Sequence, residues 1–245
     1  MSAETPNGRR LALAASYALL SYLYGSVPFV ALLAKKKNID LKKTGSKNVG
    51  AANLFQSTKS PTLALSGWLA DLSKGALPPL LAKTILPIED ENTEEILACS
   101  GATAGVAGQC WPIFLSFSGG RGVAPLIGAS MMLAPKLVPY LFAAMTAGGS
   151  LRAVPLLIES GEKDFRQKML LEGKNSRVVP LCVGLSIAAL PAAMLMRGYP
   201  KSRVAAASAN ALILFSRRVT AGGIPKGPGK ARRILNRLLY DRSEV

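Results

Sequence analysis

Two glycine-rich runs hold the residues of this chain best suited to binding an anion. The first reads Gly45, Ser46, Lys47, Asn48, Val49, Gly50, Ala51, Ala52, Asn53. Glycines let backbone N–H groups curl around a phosphoryl group, and lysine neutralises it. Ser46, Asn48 and Asn53 add directed hydrogen bonds. This is not a P-loop, because the Gly-Lys-Ser/Thr ending is absent. The second run places Gly119, Gly120 and Gly122 around Arg121, just before an apolar stretch. A helix starting there would offer amides and the positive end of its dipole, with Arg121 adding a planar fork of donors. Taken singly, a self-satisfied polar cap and a tight turn with a solvated arginine are the plainer readings. Their recurrence argues for one site.

Two further segments put polar groups where they are costly. Asp71 and Lys74 lie inside an apolar stretch, three residues apart, so a helix would bring them to one face as a pair. In the functional reading Asp71 orients Lys74 towards a phosphate; the plainer one is a self-neutralising ion pair. Gly25, Ser26 and Pro28 interrupt another apolar stretch and leave backbone groups to be satisfied by protein or ligand.

Composition defines the setting. The chain has 245 residues, 49% of them hydrophobic, and a formal charge of +16. Its mean hydropathy is +0.28. Apolar bulk with a large basic excess fits a polytopic membrane protein whose Lys and Arg lie in cytoplasmic loops. Nucleic acid is not the expected partner, because the cations punctuate apolar spans and aromatic platforms are few. There is no histidine. That excludes a Ser-His-Asp triad, a Cys-His pair and an HEXXH zinc site, and leaves acid–base work to carboxylates, Lys, Tyr or a substrate. Cys99, Cys110 and Cys182 match no zinc spacing and sit in apolar stretches, so no metal or other cofactor is implied.

The elements that must position these residues are spans of about 20 residues each. Residues 11–34, 61–86, 96–117, 123–158 (read as two crossings, with Pro135, Pro139 and Gly148-Gly149 as turning points), 178–196 and 204–215 are expected to cross. The expected fold is therefore all-α: a membrane helix bundle of about seven transmembrane helices. Lys35 to Lys47, Arg121, the loop 162–177 and the tail after Arg217 should be cytoplasmic. The acidic segment 87–95, with Glu89, Asp90, Glu91, Glu94 and Glu95, should be outside. That puts the N-terminus outside, against the mild pull of Arg9 and Arg10, and the C-terminus inside. Residues 1–216 form the expected transmembrane domain. Residues 217–245 form a basic tail on the anionic leaflet.

Together these segments resemble the bacterial acyl-phosphate:glycerol-3-phosphate acyltransferase family. That family's first span is similar to Tyr22-Leu23-Tyr24-Gly25-Ser26-Val27-Pro28. Its Gly-Ser-Gly-Asn-x-Gly-Ala-x-Asn loop is matched by Gly45 to Asn53, with Lys47 in place of a glycine. Its Asp-x-x-Lys-Gly-x-x-Pro motif is matched by Asp71, Lys74, Gly75 and Pro78. Its Gly-His-x-Phe-Pro and Phe-Lys-Gly-Gly-Lys-Gly-Val-Ala-Thr motifs are matched in order from Gly108 to Pro125. Here Gln109 replaces the histidine, Ser118 and Arg121 the two lysines, and Pro125 the threonine. The family's Arg-His-x-x-Asn-Ile pattern survives only as Arg217-Arg218, and Arg237-Leu238-Leu239 with Glu244 faintly echoes its last motif.

The resemblance implies transfer of an acyl chain from acyl phosphate to glycerol 3-phosphate, giving lysophosphatidic acid and phosphate, in phospholipid synthesis at the bacterial inner membrane. No acyl-enzyme is needed, because the mixed anhydride is already activated. It implies Ser46, Asn48, Lys74 and Arg121 as catalytic residues. Ser26, Gly45, Gly50, Asn53, Asp71, Gln109, Gly119, Gly120 and Gly122 would bind substrate, and lipid-facing grooves would take the acyl chain. Two other readings stay open: a family member that binds phospholipid precursors without turnover, and a membrane transporter of a phosphorylated solute.

Overall fold

The computed structural model describes residues 6–84, 90–159 and 178–241. The loop 162–177, Glu89 and Glu244 lie outside the described residues. Among the described residues the chain is all helix, without a strand. The helices are α1 (Pro6–Ser26), α2 (Phe29–Lys35), α3 (Ala51–Thr58), α4 (Pro61–Thr84), α5 (Glu91–Cys110), α6 (Val123–Leu133), α7 (Val138–Glu159), α8 (Val178–Met196), α9 (Lys201–Thr220) and α10 (Lys230–Tyr240).

Proline and glycine set most boundaries. α1 stops at Ser26, just before Val27-Pro28, because a residue preceding proline is pushed out of the helical region. α2 resumes immediately. Together they form a stretch, Gly8–Lys35, of 28 residues that is long and apolar enough to cross a membrane. The expected span 96–117 ends early. α5 stops at Cys110, because Trp111 precedes Pro112 and leaves the helical region (φ −129°, ψ 64°). The chain then turns through a 3₁₀ segment, Ile113–Leu115, and folds back so that Gly120 N donates to Gln109 O at 3.0 Å. The stretch 123–158 divides at Pro135, giving α6 and α7. α6 has 11 residues, about 16 Å of rise, so it runs only half as deep as its neighbours. α9 is longer than its apolar core 204–215 suggested. It starts directly after Pro200 and runs to Thr220, past residue 216.

Beside its apolar core the bundle carries large apolar side chains on its outer faces and polar and charged ones inside. Leu11, Leu20, Leu65, Leu195 and Met196 are exposed, Met196 at 87%. Asp71, Lys74, Asn53, Gln109, Asn210, Arg217 and Arg218 are buried. Water would favour the reverse; a hydrocarbon surround favours this one. The largest apolar cluster joins α5, α6, α8 and α9 through Val106, Leu126, Ile187, Met194 and Leu214. A second, around Ala14, Ala82 and Leu97, ties α1 to α4 and α5. At the end far from Gln109, Arg10 pairs with Asp90 at 3.0 Å. The Thr93 hydroxyl and amide, with Arg10, hold the Asp90 carboxyl below the usual carboxylate range. That pair sets Arg10, at the N-terminal end of α1, beside the acidic segment. Glu95 there binds Arg203 through Nε (2.8 Å) and Nη2 (2.8 Å), fastening α5 to α9.

Small residues bring the backbones together around Lys74. A Cβ on Gly75 would sit 1.8 Å from Pro125 O, and one on Gly105 would sit 1.9 Å from Lys74 O. Helices α4, α5 and α6 therefore touch backbone to backbone, the close approach that glycines permit between membrane helices. Gly75→Val is expected to lower stability by about 1–3 kcal/mol or more, since backbone rather than a flexible side chain must give way. Thermal unfolding in detergent measures it, with the exposed Leu195→Val as the control expected to unfold as wild type does.

Candidate active site

Among the described residues Lys74 is the largest fully buried side chain, with 0% exposure. It sits in the middle of α4, where an ammonium requires partners. Its Nζ lies 3.0 Å from Asp71 Oδ1, one helical turn back. It donates to Gln109 Oε1 on α5, and Gln109 Nε2 donates to Asp71 Oδ2 at 2.9 Å. The ammonium also lies over the Phe29 ring, 5.3 Å from its centroid. Lys74, Asp71 and Gln109 thus close a ring of one ion pair and two hydrogen bonds across two helices. An amide side chain suits it, because it accepts at one end and donates at the other without titrating.

The first glycine run folds around Asn53. The Asn53 Nδ2 donates to Leu41 O, Thr44 O and Asn48 O at 3.0, 3.0 and 2.9 Å, and its Oδ1 accepts from Ser46 N at 3.0 Å. Gly45 takes φ +58°, where a Cβ would meet Asn53 Oδ1 at 2.2 Å. The loop is thereby wound onto one asparagine, and Gly50 becomes the N-cap of α3. The second run is clamped by Arg217 on α9. Its Nε donates to Gly120 O at 3.1 Å and its Nη2 to Gly119 O at 2.7 Å. Gly122 (φ +78°) then caps α6. Pro125 in the first turn of α6 fits, because N–H groups there lack helical partners.

Both caps open on one cavity of about 310 Å³. Its wall includes Asn48, Gly50, Ala51 and Ala52 from the first run, and Arg121, Gly122, Val123 and Ala124 from the second. Asp71 and Gln109 reach it from the buried ring, with Trp68, Arg218 and Asp241. The N-termini of α3 and α6 therefore face a common space, each presenting unpaired first-turn amides and a positive dipole end. Arg121 and Arg218 add guanidinium charge. Arg218 is buried and fixed by bonds to Pro180 O (2.9 Å) and Leu238 O (2.8 Å). The arrangement can hold an anion with several oxygens.

Of the residues expected to bind or act, Asn48, Gly50, Asp71, Gln109, Arg121 and Gly122 line the cavity. The others do not line it. Lys74 is sealed behind Asp71 and Gln109, so its charge reaches a ligand only through them. Asn53 has spent its amide on the loop. Ser46 is exposed, with its N–H taken by Asn53. Gly45 shapes the turn. Gly119 and Gly120 turn their carbonyls to Arg217, and Gly120 N–H goes to Gln109 O, so neither serves simply as an amide donor. Ser26 is buried and donates to Tyr22 O at 2.8 Å. The sequence offers Arg217 and Arg218 as the basic end of the last span and as a remnant of a family pattern, and gives no motif for Trp68 or Asp241. The signal for Asp241 was its position, as the first acid after a long basic stretch.

Bundle and cavity together define a class: a helical protein with apolar outer surfaces built around an interior cavity lined by two helix N-termini and two arginines. The chain belongs to the glycerol-3-phosphate acyltransferase family, whose model matches residues 15–154. That match spans both glycine runs and the Lys74 ring, and stops short of Arg217, Arg218 and Asp241. A glycerol-3-phosphate acyltransferase of Desulfotalea psychrophila is 35% identical over 148 residues, which is 59% of this chain and 74% of the relative. One of Rubrobacter xylanophilus is 38% identical over 125 residues, 51% of this chain and 59% of the relative. Among solved structures, the glycerol 3-phosphate form of PlsY, an integral membrane glycerol 3-phosphate acyltransferase, has the same fold. Its TM-score is 0.63, with 22% identity over 89% of this chain and 98% of that one.

Arg217→Ala leaves two buried carbonyls without their charged donor and should cost about 2–4 kcal/mol. Arg217→Lys should recover only part, because one ammonium does not reproduce the planar fork. Unfolding in detergent reads both; equal stability of all three proteins would mean that Arg217 is not the clamp.

Proposed function

We propose that this protein transfers an acyl chain from acyl phosphate to a hydroxyl of glycerol 3-phosphate, releasing lysophosphatidic acid and phosphate, in phospholipid synthesis at the bacterial inner membrane. The observation that supports it most is the convergence of two helix N-termini and two arginines on one cavity. Seven crossings are proposed, with the N-terminus outside, the C-terminus cytoplasmic and the cavity near the inner leaflet. Residues 1–216 serve as the transmembrane body and 217–245 as a basic segment against anionic lipid.

In this reading the hydroxyl oxygen forms a bond to the carbonyl carbon, and the bond from that carbon to the bridging phosphate oxygen breaks. The proton passes from the hydroxyl to a phosphate oxygen, so no histidine is needed. Arg121 and Arg218 neutralise phosphoryl oxygens. Asn48 and the first-turn amides of α3 and α6 orient them. Positioning and preorganised charge supply the acceleration. Asp71 and Gln109 form the wall beside the reacting groups, and Lys74 holds both in place as a positioning residue. Ser26, Gly45, Ser46, Asn53, Gly119 and Gly120 act through the backbone geometry they fix. The acyl chain takes the apolar groove of about 620 Å³ between α2 and α4, lined by Phe29, Leu32, Leu33, Ser66 and Ala70 with Lys35 and Lys36 at its rim.

The test supplies purified protein in detergent with palmitoyl phosphate and labelled glycerol 3-phosphate. Lysophosphatidate should form, and Arg121→Ala should raise KM for glycerol 3-phosphate at least about tenfold, the loss of one charge-assisted contact. Lys74→Ala should abolish turnover and lower stability by about 3–5 kcal/mol, because it strands the Asp71 carboxylate. Binding of glycerol 3-phosphate without product would identify a non-catalytic family member. Uptake into vesicles without product would identify a transporter.

A further inference from the structure

Asp241 places a carboxylate inside the anion cavity. Its Oδ2 lies 3.2 Å from Arg121 Nε, and the two side chains are 22% and 24% exposed. The position is built. Asp241 caps α10 in the left-handed region (φ +55°), with its N–H donating to Arg237 O at 3.0 Å. Arg237 Nη1 donates to Val219 O at 2.8 Å, and Arg218 Nη1 donates to Leu238 O at 2.8 Å. The end of α10 is thus fastened beside the cavity. Meanwhile Arg121 Nη1 is buried and makes no hydrogen bond among the described residues. The guanidinium keeps donor capacity that the carboxylate does not use.

We infer that Asp241 is a specificity-determining residue: an internal monoanion on Arg121 that a phosphate dianion displaces and a singly charged anion does not. The inference rests on the acyl-transfer reading of the cavity. A ligand carboxylate entering here gains only what Asp241 already supplies, and meets its like charge. A phosphate ester brings a second charge and three acceptor oxygens. It can engage Nε, the spare Nη1 and Arg218 together. Asp241 therefore weakens all anions, but monoanions most, which is selection by repulsion as well as attraction.

Isothermal titration of the full-length protein in detergent tests this with glycerol 3-phosphate and with glycerate, a monocarboxylate of the same carbon count. Asp241→Asn should tighten glycerol 3-phosphate about fivefold, the worth of a partly exposed ion pair, and tighten glycerate by more. The ratio of the two dissociation constants should fall accordingly. Asp241→Gly, which suits the left-handed backbone at this position, should behave like Asp241→Asn, and Asp241→Glu should stay near wild type. If either neutral variant folds and binds glycerol 3-phosphate more weakly, or leaves the ratio unchanged, the inference fails while the acyl-transfer reading stands. If wild type and variants all fail to bind glycerol 3-phosphate, both fail together.

Discussion

A lysine ammonium with no exposure to solvent, in the middle of a helix whose outer faces are apolar, constrains everything around it. Unpaired, it would cost several kcal/mol, so α4 must carry Asp71 one turn away and α5 must deliver Gln109 from across the interface. Gln109 reaches Nζ only if α5 lies close against α4, hence glycine at 105, while Gly75 lets α6 pack as closely on α4. Gln109 does a second job through its carbonyl, which receives the amide of Gly120 and folds the second glycine run back against the end of α5. One buried charge thereby fixes the packing of α5 on α4 and the seat of a loop.

The cavity follows from that seat. α6 begins beside Gln109 and has 11 residues, so its N-terminus opens within the bundle instead of at its surface. α3, wound off the Asn53 loop, brings a second N-terminus to the same space. Helix dipoles and first-turn amides are fixed partial charges that need no rearrangement when an anion arrives. Arg121 and Arg218 supplement them with full charges. This layout suits a reaction whose donor is already activated, and where the protein's part is placement and neutralisation.

Much of this could be read from residue types and spacing. Asp71 and Lys74, three apart in an apolar stretch, could hardly be other than paired. The two glycine runs contribute to the wall of one cavity, as their reading as a single site requires. What escaped was the division of labour within each run. Asn53 and Ser46 look like ligand groups in a string of letters; in the fold, one asparagine consumes four backbone partners and the serine N–H is among them. Gly119 and Gly120 look like amide donors, yet their carbonyls answer Arg217, 97 residues away from Gly120. Such long-range pairings leave no local periodicity. The eight-residue α3 and the end of α5 at Cys110 are not legible either, because the apolar run continues through Trp111 and Ile113. Asp241 carried no motif at all.

The most direct test is a crystal structure determined with glycerol 3-phosphate. The account predicts the phosphate in the 310 Å³ cavity, with its oxygens about 3 Å from Arg121 and from first-turn amides of α3 or α6. A phosphate held instead on the exposed lysines between Lys35 and Lys47, with the cavity taking none, would contradict it.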